Sequence, residues 1–240
     1  MKILAIDCAT EWVSAALWLD GACLERSAPP RRGLSEGLLA WCASLLDEAG
    51  ITLQALDLIA FGRGPGAFTG VRMATGIAQG LAWSTGRPVS AISTLRAVAH
   101  QALQRLPQAL EVLVCQDARM NEVYWARHRR DGADTRRIGE ECLSSPNQVA
   151  MPELVGLPQQ SPLCVAAGSG FGAYPLLQER WHVAQGTRQG AVLLLDCPPR
   201  ARDVAALAAL DGLAAALPAA EAAPVYLRDS VATPPAPRPA

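Results

Sequence analysis

The order of apolar runs, turn signals and glycine loops in the first half of this chain returns in its second half. That recurrence constrains the fold more than any single motif does. Ile3 to Ile6 is an unbroken apolar run ending in Asp7, the pattern of a central strand buried on both faces. Residues 12–19 predict a second strand, Asp20-Gly21 a hairpin turn, and residues 22–26 a third strand. A helix is expected from Ser35 to Ala49, with Leu38, Leu39, Cys42, Leu45, Leu46 and Ala49 on one face and Gly50 as its stop. Leu58 to Phe61 then run into a loop holding Gly62, Gly64, Pro65 and Gly66. The next helix, with Thr69 as its expected N-cap, puts Val71, Ala74, Ala78, Leu81 and Ala82 on one stripe and ends at Gly86. Val89 to Ile92 reads as a short strand, and Ser93 as the cap of a helix that stops at Pro107.

The second half starts the same way. Val112 to Cys115 is an apolar run ending near Asp117, a polar turn (118–121) leads to a strand at 122–128, and Asp131-Gly132 supplies another hairpin. Asp7 and Asp20 stand 13 residues apart, Asp117 and Asp131 14. Leu163 to Ala167 then runs into Gly168-Ser169-Gly170-Phe171-Gly172, an echo of the first strand and glycine loop. Two α/β units facing each other across a cleft are expected, at 1–106 and 107–202, the second eroded. A helix at 203–217 and an extended segment at Ala223–Arg228 are expected to complete the first unit, which closes near residue 231. Residues 232–240, rich in proline, read as a disordered or polyproline tail.

Composition excludes several classes. The formal net charge of −1 offers no field for nucleic acid or membrane, and the pairs Arg31-Arg32, Arg129-Arg130 and Arg136-Arg137 read as solvated turn residues. Lys2 is the only lysine, which leaves no lysine to clamp a phosphate or form a Schiff base further along. Seven scattered cysteines include no Cys-x-x-Cys pair, so neither a zinc site nor a disulfide framework is indicated. No secretory leader and no membrane-length apolar run is evident, and a cytoplasmic protein is expected.

Gly62-Arg63-Gly64-Pro65-Gly66-Ala67-Phe68-Thr69-Gly70-Val71-Arg72 can be read in two ways. It is either a tight strand-to-helix turn or an anion loop in which Arg63, Gly64, Gly66, Thr69 and Arg72 hold a nucleotide phosphate. No Gly-Lys-Ser/Thr follows, so it is not a P-loop. Asp7 is followed by Cys8-Ala9-Thr10 rather than by a glycine turn, which favours a structural role for Asp7, and the same reading holds for Asp117 paired with Arg119. No two of His100, His128 and His182 stand at i and i+4, and no metal site is expected. In the helix at 69–85, Gly76 and Gly80 each cost about 1 kcal/mol against alanine. Four residues apart, they lie on one face and would let another helix approach closely, either one of the same chain or one of a second subunit.

Met1-Lys2-Ile3-Leu4-Ala5-Ile6-Asp7, the glycine word above, Asp117-Ala118-Arg119-Met120 with Glu122-Val123-Tyr124-Trp125-Ala126, and Pro224-Val225-Tyr226-Leu227-Arg228 together resemble the TsaB (YeaZ) family. The resemblance implies an α/β fold of two duplicated RNase H-like/actin-like domains of the actin, Hsp70 and sugar-kinase (ASKHA) superfamily. It further implies a non-catalytic scaffold in the formation of N6-threonylcarbamoyladenosine beside the anticodon of tRNAs reading codons that start with A. Its implied partners are the paralogous transferase TsaD, which it activates as a heterodimer, and the ATPase TsaE. A homodimer when isolated, tRNA contact only through the complex, and ADP or ATP at a subunit interface are further implications. Association through the first two long helices would make Leu38, Leu39, Cys42, Gly70, Met73, Gly76, Ile77 and Gly80 the partner face. Where family members often carry a histidine before the first helix's Ser-Glu, this chain has Leu34. The alternative is an ATP-dependent kinase of the same superfamily. A metallopeptidase would need the absent histidine pair, and a direct tRNA-binding module an absent basic stripe.

Overall fold

The computed structural model describes residues 1–29, 34–152, 163–185 and 192–228 of the 240-residue chain. Its first half runs β1 (Lys2–Asp7), β2 (Val13–Leu19), β3 (Ala22–Ala28), α1 (Leu34–Ala49), β4 (Leu58–Gly64), α2 (Phe68–Thr85), β5 (Val89–Ser93) and α3 (Thr94–Arg105). The second runs β6 (Ala109–Arg119), β7 (Glu122–Asp131), β8 (Asp134–Ser144), β9 (Leu163–Ala167), α4 (Ser169–Ala173), α5 (Pro175–Gln185), β10 (Val192–Leu194) and α6 (Ala201–Asp211).

The duplication is plain in the sheets. One has the order β3-β2-β1-β4-β5 and the other β8-β7-β6-β9-β10, and in each an antiparallel meander is extended by two parallel strands. This is the duplicated actin-like arrangement expected of the sequence. The apolar run of β1 is continuous because both faces are covered: Leu4 and Ile6 face the α1/α2 layer, Ile3 and Ala5 the opposite one.

That opposite layer is built crosswise. The helix closing the first half, α3, lays Leu95, Val98, Ala99, Ala102 and Leu103 on Val112, Val114 and Ala126 of the second sheet. The helix closing the second half, α6, lays Val204, Ala205, Leu207 and Ala208 on Ile3, Ala5, Leu58 and Ala60 of the first. Each fully buried Leu or Val contributes about 1.5–3 kcal/mol over its exposed state. Polar contacts join the two crossed helices. Asp203 of α6 meets His100 Nδ1 at 2.8 Å and accepts from Gln101 at 3.2 Å, and Arg96 donates to Asp211 at 2.7 Å and to Asp134 of β8 at 2.7 Å.

Several expectations are corrected. Thr69 is not the N-cap of α2; Ala67 holds that position with no side-chain cap. The chain turns earlier because the Ala67 N–H donates to Ala9 O at 2.7 Å, while Ala67 O accepts from Val71 N–H at 3.0 Å. Ser93 does cap α3, its hydroxyl accepting from the Arg96 N–H. Leu39 lies off the apolar stripe of α1 and is 53% exposed. The last helix ends at Asp211 rather than 217, because Gly212 (φ +68°) breaks it, and Leu217 goes on to pair with Val89 on the edge of β5. In the second half Gly170 and Gly172 lie within α4 rather than in a loop. Between β8 and β9 only a 3-10 turn at Pro146–Gln148 is found among the described residues, where the first half has α1. Arg129 pairs with Glu111, and Arg130 donates to Leu106 O at 3.2 Å, so this arginine pair ties β7 down rather than being merely solvated. The Arg31-Arg32 and 229–240 expectations fall outside the described residues.

His128 on β7 is buried, and neither ring nitrogen has a hydrogen-bond partner among the described residues. Burial, reinforced by Arg96 and Arg137, pushes its pKa down to about 4.

Candidate functional site

The two halves enclose a cleft of about 620 Å³. Its floor and walls come from the loop after β1 (Ala9, Thr10, Glu11), the glycine loop (Pro65, Gly66), the β6–β7 turn (Asp117 to Met120), Asp196 and the segment ending in Arg228. In a nucleotide-binding site of this shape, backbone amides after β1 and around the glycine loop would wrap a phosphate. Here the two loops touch each other at the cleft floor. A Cβ on Gly66 would lie 2.1 Å from Ala9 O, and one on Gly70 1.8 Å from Cys8 O, so the loop after β1 rests directly on the glycine loop and the first turn of α2. Gly64, at φ +95°, needs the left-handed backbone only glycine takes freely, and beside it Arg63 O accepts from Val225 N–H at 2.8 Å.

Of the candidate anion-loop residues, both arginines are engaged by other side chains. Arg63 pairs with Glu141 of the second half at 3.3 Å, and Glu141 also accepts from Ser93. Arg72 stacks its guanidinium over Phe68 at 3.1 Å, with Tyr226 at 4.9 Å. Arg119, at φ +61°, pairs with Asp117 at 3.2 Å and with Glu11 across the cleft mouth. Asp117 also accepts from Arg119 N–H and from the Tyr174 hydroxyl, each at 2.8 Å. Arg228 donates to Ala118 O at 3.1 Å and pairs with Glu122. Glu141, Tyr174 and Arg228 have roles that sequence reasoning did not give them. Only Arg228 had a signal, its place in the Pro-Val-Tyr-Leu-Arg word.

Asp7 is fully buried beneath this floor. One carboxylate oxygen accepts from Ala9 N–H at 3.1 Å; the other has no partner among the described residues and lies where a Cβ on Gly62 would sit, 1.8 Å away. Burial raises its pKa from 3.8 to about 7, against the pull of the Ala9 amide. Between those values the unfolded chain ionises while the folded one keeps the proton, so Asp7 lowers stability as pH rises from 3.8 to about 7. His128 has the opposite slope from about pH 4 to 6.5, where the unfolded state binds the extra proton. The two offset each other. Asp7→Asn is therefore expected to uncover the histidine slope, with stability to urea rising between pH 4 and 6.5 more steeply than in the native chain. Parallel pH profiles for both proteins would show that Asp7 ionises normally.

Among the described residues, no group of three His, Cys, Asp or Glu side chains could hold a metal ion. Burial pushes the thiols of Cys8, Cys42, Cys115 and Cys197 well above their ordinary range, which leaves none of them a poised nucleophile.

The helical face divides differently from the sequence expectation. Leu38 and Cys42 are buried in the core under α1, and Gly70 is spent on the contact with Cys8, so these three are not free to meet a partner. Met73 and Ile77 are half-buried at its margin. Gly76 and Gly80 point outward, with nothing among the described residues within 4 Å of where a Cβ would stand. Trp83, not anticipated from the sequence, is 66% exposed one turn further along α2.

Residues 30–235 match the family model described as TsaD: tRNA N6-adenosine threonylcarbamoyltransferase. The tRNA threonylcarbamoyladenosine biosynthesis protein TsaB of Escherichia coli is 40% identical over 97% of this chain and 96% of its own length. The chain belongs to the TsaB family. The TsaB of Haemophilus influenzae is 35% identical over 96% and 95% of the two chains. The solved structure of YeaZ from Pseudomonas aeruginosa superimposes with a TM-score of 0.79 at 36% identity, covering 94% of this chain and 99% of its own. No helix among the described residues is long and apolar enough to cross a membrane.

Proposed function

We propose that the chain is a non-catalytic scaffold subunit in the synthesis of N6-threonylcarbamoyladenosine next to the anticodon in tRNAs reading codons that start with A. In this reading it heterodimerises with the transferase TsaD and activates it. The relatives named above are tRNA threonylcarbamoyladenosine biosynthesis proteins, which supports the pathway. The observation that carries the scaffold role is the outward face of α1 and α2. Gly76 and Gly80 leave space for a partner helix on α2 beside the exposed Trp83, and Leu39 is exposed on α1. The cleft supports the same reading, since its arginines are already paired with acids of the chain.

The ATPase TsaE joins the assembly, tRNA is met only through it, and any ADP or ATP is held at a subunit boundary. In isolation the same face would pair with a second copy. The test is tRNA threonylcarbamoylation with purified TsaD, TsaE and threonylcarbamoyl-adenylate synthase, with and without this chain. Modification that requires the chain, with none from the chain alone, is the expected result. Full activity without it would overturn the scaffold reading, and phosphoryl transfer by the chain alone would replace it with a kinase.

A further inference from the structure

Gly76, Gly80 and Trp83 stand at i, i+4 and i+7 along α2, a single stripe of its outer face. Where that stripe ends, a groove of about 530 Å³ opens between the last turn of α2 and residues 216–220. Its far wall is fixed by the backbone. Val89 and Leu217 exchange hydrogen bonds of 2.8 Å, and Gln79 Nε2 donates to Ala222 O at 3.0 Å. Ala219 and Ala222 are buried in the same core as Ala78 and Ala82 of α2. The groove is therefore preformed, and a partner entering it pays little for ordering it. Alanines at 216 and 220 give it depth, while Trp83, Pro88, Leu217 and Pro218 make it apolar.

Arg87 is the one charged side chain that lines it. Its Nη2 donates to Gln54 O at 2.8 Å, but its Nε has no partner and it pairs with no carboxylate among the described residues. Arg63, Arg119 and Arg228 each meet an acid of this chain, so Arg87 differs from them in being left for a partner to neutralise. A polyanion such as RNA would call for a row of cations. A concave apolar surface with a single unpaired guanidinium instead suits an apolar side chain carried beside a carboxylate. A TsaD helix crossing α2 at Gly76 and Gly80 would bring its own end to this groove. We propose that the groove takes an apolar side chain of TsaD, laid on Trp83 against Leu217 and Pro218, with a neighbouring TsaD carboxylate on Arg87. This rests on the scaffold reading and adds to it a second point of attachment, whose charge has a fixed sign.

Binding of the full chain to immobilised TsaD tests this with three variants. Ala220→Trp, at an exposed position on the groove wall, fills the space and is expected to weaken binding at least about 10-fold. Arg87→Glu sets like charges together and should cost as much. Arg87→Gln should cost less, and its deficit against the native chain should shrink as salt rises from about 0.05 to 0.5 M. Glutamine keeps a donor for Gln54 O, so this variant decides the matter even where a larger change disturbs the fold. Native affinity for Ala220→Trp and Arg87→Glu would overturn the proposal. If only Gly76→Leu with Gly80→Leu then loses TsaD, the helix face stands and the groove falls. A native chain that does not bind TsaD at all removes the scaffold reading, and the groove with it. Loss of self-association by Ala220→Trp in sedimentation, with TsaD binding unchanged, would assign the groove to a second copy and equally overturn it.

Discussion

Gly70→Ala is expected to lower the melting temperature by at least about 6 °C, while Gly76→Ala, in the same helix, is expected to raise it. The added methyl at position 70 would lie 1.8 Å from Cys8 O, a backbone atom at the end of a central strand that has nowhere to move. Forced overpacking of this kind costs about 3 kcal/mol or more, and in a chain of this size each kcal/mol shifts the melting temperature by roughly 2–4 °C. At position 76 the same methyl meets open space, and the helix gains about 1 kcal/mol of intrinsic propensity. Thermal unfolding followed by circular dichroism reads both signs. Equal shifts in one direction would mean that the close approach of α2 to the loop after β1 is not as described.

The second large effect concerns assembly. Gly76→Leu with Gly80→Leu is expected to weaken capture of TsaD at least about 100-fold while leaving a folded chain. Two isobutyl groups would stand where a partner helix is to pack, and close to 3 kcal/mol of lost binding is a factor of that order. Trp83→Ala should cost about 2 kcal/mol or more if that exposed ring is an anchor of the interface, near 30-fold. Biolayer interferometry with immobilised TsaD measures both. Unchanged capture by a well-folded double variant would place the interface elsewhere.

Architecture was legible wherever a run of residues carried one physical message. The buried run of β1, the hairpin signals at Asp20-Gly21 and Asp131-Gly132, and the stop at Gly86 are each set by neighbours in sequence, so the duplicated order could be read from them. The candidate site was less legible, because the roles of its glycines and arginines are set by residues far away. Nothing local distinguishes Gly70, pressed against Cys8, from Gly76, open to solvent. Arg63 could be recognised as structural only through Glu141, which lies 78 residues on. The same distance effect hid Trp83, whose exposure depends on what α2 leaves uncovered rather than on its own surroundings in the chain.

The crossed arrangement of α3 and α6 sets an order of events during synthesis. The first sheet cannot cover its inner face until residues 201–211 have left the ribosome, and α3 waits for strands that are made after it. Contacts of such sequence separation slow folding and leave apolar surface bare in the interval. The nascent chain therefore cannot finish one unit before beginning the next, and a ribosome stalled between them would hold a client for chaperones rather than a domain.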